Sequence, residues 1–290
     1  MRMTLAALVF TLAQAAPAPP AISVTAKARS LQPGEVVALT IATAEPASAV
    51  HVRAFDHDAQ PFRVDPKTWR VLVGIDLETA PRAYLAAIAA DTAAGPLHST
   101  YSIVVKPKTF DTRTLTVDDA FVNPPASVTK RIEDEAVLLS SLWAHVTPER
   151  LWTSPFIRPV AEAANSAFGK RSVFNGQARS PHTGADFESP AGTPVHAPSE
   201  GRVVVARELY YTGNTVILDH GLGLYSLFAH FSEIDVHDKD LVSQGQVLGK
   251  VGATGRVTGP HLHWAIRLNG ARVDPLSLIV AVEGEGPARR

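Results

Sequence analysis

Thr258-Gly259-Pro260-His261-Leu262-His263-Trp264 sets two imidazoles two residues apart in a run with strand character. On a strand, residues i and i+2 share a face. His261 and His263 therefore point the same way, while Leu262 and Trp264 take the opposite side. Upstream, Pro181-His182-Thr183-Gly184-Ala185-Asp186 places a histidine and a carboxylate an even number of residues apart, and Pro181 and Gly184 argue against a helix. An extended course turns His182 and Asp186 to one side, so that both converge on one ion. A third histidine, His230, closes the run Tyr225-Ser226-Leu227-Phe228-Ala229. Simple alternation puts Phe228 on the face of His230 and Ala229 opposite.

Seven of the eleven histidines follow residue 180, so the imidazoles are concentrated in the last third of the chain. Two histidines and a carboxylate make a nitrogen and oxygen donor set that zinc accepts. Three protein ligands leave a fourth position for water, the pattern of a catalytic rather than a structural zinc. A remaining pair of histidines is then available to handle protons and stabilise an oxyanion. His196, His220 and His237 read as structural, and His145 as a packing residue.

Working outward, short β runs alternate with Gly and Pro from about residue 156: Val195–Ala197, Gly201–Ala206, Thr215–Asp219, Leu224–His230, Val247–Val251 and Leu262–Arg267. A β-rich domain over 156–280 is expected, followed by a tail at 281–290. Before it lies a connector, 109–155, with a strand-like Arg113–Val117. Its helix is predicted over 127–146, because Val128, Ile132, Ala136, Leu139, Trp143 and Val146 recur at helical spacing. Glu133, Asp134 and Glu135 read as a solvated helix face rather than as a glycosidase pair. Residues 21–108 hold six candidate strands: Ile22–Ala28, Glu35–Ala42, Ala49–Phe55, Trp69–Ile75, Ala83–Ala90 and Ser99–Val105. Turn signals separate them, which predicts a small β-sandwich. His51, His57 and His98 are scattered there and form no catalytic cluster. The expected fold class is mainly β: an N-terminal Ig-like β-sandwich, a helical connector and a C-terminal antiparallel β-sheet domain.

The chain has 290 residues, 46% of them hydrophobic and 19% charged, which supports a packed core and about two domains. Lys and Arg number 27 against 28 Asp and Glu, a balance that argues against a general nucleic-acid binder or a polybasic membrane protein. Cysteine is absent, so disulfides, thiolate metal sites and cysteine catalysis are excluded. Met1-Arg2-Met3, the apolar Leu5–Ala13 and Ala13-Gln14-Ala15 read as an export signal over 1–15, cut before Ala16. The apolar run is far short of the ~20 residues that span a bilayer, and no other segment approaches that length. A proline-rich linker, Pro17 to Pro20, follows. Export of a cysteine-free chain suggests a bacterial envelope.

The motif at 181–186 resembles the opening of the LytM/lysostaphin-type zinc metallopeptidases, as do Gly192-Thr193-Pro194-Val195-His196-Ala197-Pro198 and Gly201-Arg202-Val203-Val204. The likeness continues through His220-Gly221, Tyr225 to His230, Val242-Ser243-Gln244-Gly245-Gln246 and Gly252-Ala253-Thr254-Gly255. It ends with 258–264 and Val273-Asp274-Pro275, and covers about residues 165–280 with order and spacing kept. The resemblance implies a zinc-dependent endopeptidase, periplasmic or secreted, that acts on the peptide stems of peptidoglycan. It implies Zn2+ held by His182, Asp186 and His263, with His230 and His261 as the catalytic pair, in a compact antiparallel sheet with a narrow groove. For a Gram-negative envelope the implied bond is the D-Ala–meso-diaminopimelate cross-link.

Two other functions compete with this one. Degenerate family members lack ligands and activate cell-wall amidases, whereas this chain keeps every ligand. A cupin needs a Glu soon after its His-x-His and a later histidine, and neither follows His263. Phe228 stands where the family often has Tyr, which implies one substrate hydrogen-bond donor fewer. Ala185 replaces a larger aliphatic. Gly169 to Gly176 resembles a segment that borders the groove in exported relatives. Asn175 either matches an inhibitory zinc ligand of some members or serves as a turn residue. The N-terminal module is expected to target or regulate, with a possible envelope partner.

Overall fold

Val36-Val37-Ala38-Leu39 puts four apolar residues in a row, and all four are buried, so this strand has no solvent face. In a computed structural model, which describes residues 21–116, 119, 122–165 and 168–284, that strand lies between two cores. The export signal, the linker at Pro17–Pro20 and the tail beyond 284 lie outside the described residues.

Eight strands fill residues 22–104: β1 (Ile22–Lys27), β2 (Val36–Thr43), β3 (Ala47–Ala54), β4 (His57–Ala59), β5 (Phe62–Asp65), β6 (Thr68–Gly74), β7 (Ala83–Thr92) and β8 (Gly95–Val104). They form two antiparallel sheets, ordered β1-β2-β6-β5 and β4-β3-β7-β8. Val50, Val52 and Ala54 of β3 face inward and His51 and Arg53 face out, the alternation of a half-buried strand. The six expected strands are present, and the short β4 and β5 are additional. The odd positions of β2, Val37, Leu39 and Ile41, meet the second sheet inside the sandwich. Val36, Ala38 and Leu72 on the other face join the core of the C-terminal part.

Next come β9 (Thr112–Leu115) and α1 (Ala126–Ala144). The helix begins one residue earlier and ends two residues sooner than expected. Leu138, Leu139, Leu142 and Trp143 pack on Tyr225, Leu227, Ala229 and Ala265, while Ala136 is exposed. The covered stripe runs through Glu135 instead. Its carboxylate accepts the Tyr210 N–H at 2.8 Å and pairs with Arg131 at 2.7 Å. Glu135 is thus a fastener of the helix and not part of a solvated face.

The C-terminal part comprises β10 (Arg171–Phe174), β11 (Gln177–Arg179), β12 (Gly184–Phe187), β13 (Pro194–His196), β14 (Gly201–Leu209), β15 (Gly213–Gly221), β16 (Leu224–Ile234), β17 (Leu241–Val242), β18 (Val247–Val251), β19 (Leu262–Leu268), β20 (Ala271–Val273) and α2 (Pro275–Val282). Its main sheet runs β12-β19-β16-β15-β14-β17, and a small sheet runs β11-β10-β9. Phe187, Phe228, Phe231, Trp264 and Ile266 fill the core on one face of the main sheet, and α1 covers part of the other. The sequence reading missed α2. Asp274 caps it by accepting the Leu276 N–H at 2.9 Å, and Pro275 opens it.

Candidate metal centre

Antiparallel pairing of β12 with β19 sets Asp186 directly opposite His263. Asp186 Oδ1 lies 3.0 Å from His182 Nε2 and 2.9 Å from His263 Nδ1. The two rings stand edge to face at 4.7 Å. A ligand atom from each of His182, Asp186 and His263 lies within 4.8 Å of the others, so the group could hold a metal ion. Gly184 makes this approach possible: a Cβ there would meet the Trp264 carbonyl oxygen at 2.5 Å and the His263 ring at 2.7 Å.

Burial opposes charge on Asp186, yet the hydrogen bonds from His182 and His263 outweigh it and hold the carboxyl far below the usual range. Burial pushes the His263 pKa down. The set therefore offers a carboxylate and a neutral imidazole rather than a cation. His182 Nδ1 is buried without a hydrogen-bond partner. Two imidazoles and a carboxylate suit a divalent cation of borderline softness.

His230 and His261 join the group from neighbouring segments. Their rings are 4.9 Å apart, and His230 is 6.1 Å from His263. His261 Nε2 lies 3.9 Å from Asp186 Oδ1. His230 Nδ1 is 2.9 Å from the Thr254 carbonyl, and His261 Nδ1 is 2.9 Å from the Gly259 carbonyl. Each carbonyl can only accept, so each Nδ1 carries the proton and each Nε2 keeps its lone pair. Burial, with His263 beside it, pushes the His230 pKa down to about 3.

The way His230 reaches the site corrects the simple alternation. Phe228 and Phe231 both lie in the core, although three positions separate them. On β15 their partners Val216 and Asn214 are only two apart, so β16 carries one extra residue there. His230 adopts φ 69°, a left-handed conformation, and turns away from the face of Phe228. Phe228 is fully buried and stacked with Trp264 at 6.3 Å, so its side chain belongs to the core.

The structure thus brings all five expected residues together. Among the other histidines, His220 is fully buried, with Nδ1 2.7 Å from the Glu200 carbonyl and Nε2 2.8 Å from Ser226 Oγ. His196 Nδ1 meets the Gly245 carbonyl at 2.9 Å, and His237 is exposed. His145 is exposed as well, and its carbonyl accepts the Tyr225 hydroxyl at 3.0 Å. Asn175 and Gly176, with φ 48° and 80°, make the two-residue turn between β10 and β11. Tyr211 and Arg256 beside the site escaped the sequence reading.

Comparison with known proteins agrees with this geometry. Residues 180–275 match Peptidase family M23. Over 109 residues, 38% of this chain, the sequence is 39% identical to the peptidoglycan DD-endopeptidase ShyA of Vibrio cholerae. Over 97 residues, 33% of this chain, it is 42% identical to the DD-carboxypeptidase/endopeptidase Mpg of Neisseria meningitidis. The matched segments span 25% and 22% of those two relatives. A crystal structure assigned to peptidase M23 from Pseudomonas aeruginosa shares 33% identity at a TM-score of 0.68, covering 87% of this chain and 96% of that one. The likeness therefore extends through the sandwich and connector, and the chain belongs to peptidase family M23.

Proposed function

We propose that the protein is a zinc-dependent endopeptidase that hydrolyses peptide cross-links of bacterial peptidoglycan, with the D-Ala–meso-diaminopimelate bond as its target. The observation that carries this reading is the convergence of His182, Asp186 and His263 beside two imidazoles whose Nε2 lone pairs are kept available. The named activities of the Vibrio and Neisseria relatives support the substrate class. The export signal read at 1–15 supports action in the periplasm or outside the cell. No helix among the described residues is long and apolar enough to cross a membrane. Residues 156–280 would be the catalytic unit, 109–155 the connector and 21–108 an accessory module open to an envelope partner. A complete donor set disfavours the amidase-activator alternative.

His182, Asp186 and His263 would hold the ion, and a bound zinc supplies Lewis acidity that polarises a carbonyl and acidifies water. Of the pair His230 and His261, one accepts the proton of the attacking water at Nε2. The same histidine then passes that proton to the leaving amine, while the other, in its protonated form, stabilises the developing oxyanion and keeps its proton. The carbonyls of Thr254 and Gly259 fix both rings in the required tautomer. The test is a digest of Gram-negative sacculi with the zinc-loaded protein beside its His263→Ala variant. Loss of cross-linked dimers only with the unmutated protein supports the reading, and product masses name the bond. Dimers that persist with both proteins refute it.

A further inference from the structure

Thr254 meets the irregular stretch of β16 at more than one point. Its carbonyl lies 2.9 Å from His230 Nδ1. Its hydroxyl donates to the carbonyl of Phe231, the next residue along, at 2.9 Å. The same Oγ1 accepts the Asn214 N–H at 2.9 Å. Asn214 is the β15 partner of Phe231, and its Nδ2 donates to the Phe231 carbonyl at 3.1 Å. The hydroxyl thus gives its proton to β16 and a lone pair to β15. This clasp spans the place where β16 carries its extra residue and His230 takes φ 69°. A left-handed residue that is not glycine persists only where its surroundings enforce it. The fit is tight, since a Cβ on Gly213 would come within 2.3 Å of Thr254 Oγ1.

We propose that Thr254 is a positioning residue for His230 and acts through its hydroxyl. The proposal rests on the peptidase reading above for its effect on the reaction. The Thr254 carbonyl selects the tautomer of His230, but a carbonyl on a loop can drift. The hydroxyl removes that freedom by tying the loop to both strands, so the carbonyl stays in line with Nδ1 and the lone pair stays on Nε2. Valine has nearly the shape of threonine and lacks the hydroxyl, so Thr254→Val leaves the Asn214 N–H without this acceptor. Serine keeps the hydroxyl. Thr254 bonds to Asn214, His230 and Phe231, so its replacement should leave the group of His182, Asp186 and His263 intact.

The experiment compares the native full chain with Thr254→Val and Thr254→Ser, all loaded with zinc. Nitrogen NMR of the imidazoles, assigned with His230→Ala, reports which ring nitrogen of His230 carries the proton. Cleavage of a cross-linked muropeptide dimer gives kcat and KM separately. Native protein and Thr254→Ser should show His230 protonated at Nδ1. Thr254→Val should show a mixture of tautomers and a kcat lower by about a hundredfold, the cost of a small misplacement of a reacting group. Its KM and zinc content should stay near those of the native protein. A pure Nδ1–H form or an unchanged kcat in Thr254→Val overturns the proposal, and so does zinc loss in that variant or a Thr254→Ser that fails as the valine variant does. Should Thr254→Val not fold, Thr254→Ala removes the same hydroxyl with less bulk and is judged by the same outcomes. Native protein that cleaves no dimer, while Thr254→Val still mixes the tautomers, would sink the peptidase reading and leave the positioning of His230 standing.

Discussion

Asp186 and His263 are cross-strand partners in register, with Oδ1 and Nδ1 2.9 Å apart. Ladder hydrogen bonds, not a flexible loop, thus set the relative position of two candidate ligands. Replacing either should abolish metal retention while leaving the strands paired. His263→Ala is expected to weaken zinc affinity at least about a hundredfold, since even partners one step removed from a metal cost 10–100-fold. Metal content after gel filtration reads this directly. Chelation of the native protein should lower its melting temperature by several degrees, because an ion present at about 100 times its dissociation constant stabilises by about 2.7 kcal/mol. Stoichiometric zinc in His263→Ala would remove this residue from the ligand set.

His230→Ala and His261→Ala should behave differently from the ligand variants. Each removes one Nε2 and leaves His182, Asp186 and His263 in place. Zinc content should stay near that of the native protein while kcat falls about 10²–10⁴-fold. Near-full activity in both variants would exclude the pair from proton transfer. Zinc loss in either would instead place that histidine among the ligands.

Gly184→Ala tests the packing beneath the site. The new Cβ would press on the Trp264 carbonyl and on the His263 ring, and neither is the free end of a flexible chain. Overpacking of this kind costs about 1–3 kcal/mol, and the displaced imidazole should also lose metal affinity. Denaturant unfolding and metal titration measure the two effects. A variant as stable and as well metallated as the native protein would show that β12 shifts at little cost.

The site was readable from local spacing because its ligands sit on extended segments, where the alternation of side chains alone decides which residues converge. His182, Asp186, His261 and His263 needed no knowledge of strand pairing. His230 did: the extra residue between Phe228 and Phe231 exists only relative to β15, and no local pattern announces it. Glu135 was misassigned for a related reason, since its partner is the Tyr210 backbone, 75 positions away. The helix α2 is buried on most of its positions, so it lacks the amphipathic stripe that revealed α1. Its Asp274-Pro275 start was the usable signal. In β2 the apolar run was visible, and its meaning, a strand buried on both faces, follows from sandwich strands being expected to alternate.

His220 predicts a pH dependence separate from the metal. Burial pushes its pKa down to about 4, against about 6.5 for an unfolded chain. Between those values the unfolded state binds the proton and the folded state does not, so stability falls as pH falls. The full window is worth about 3 kcal/mol at about 1.4 kcal/mol per unit. Denaturant midpoints at pH 7 and pH 5, taken in chelator, should show a smaller acid loss in His220→Gln than in the native protein. Equal losses would mean that His220 is protonated at no cost in the folded state.

The sandwich is packed onto the part that carries the candidate metal centre and is not tethered loosely to it. Val36, Ala38 and Leu72 share a core with Trp152, Phe156 and Leu268. The Val36 N–H donates to Ser277 Oγ at 2.8 Å. Arg29 bridges Glu35 and Asp274 at 2.7 and 2.6 Å, and Arg272 reaches Asp76 at 2.6 Å. Burial opposes ionisation of Asp76, but hydrogen bonds from Arg272 hold its carboxyl below the usual range. This link is therefore complete above about pH 4 and is lost as acid protonates Asp76. Such a joint couples the two parts, so calorimetry at neutral pH should show one unfolding transition rather than two. Leu72→Asp places an unpaired charge in the shared core, and breaking a core in this way costs several kcal/mol. It should lower that single transition or split it, with loss of bound metal in the same range of temperature. Two transitions in the native protein, with metal released only in one, would show that the sandwich folds and melts on its own.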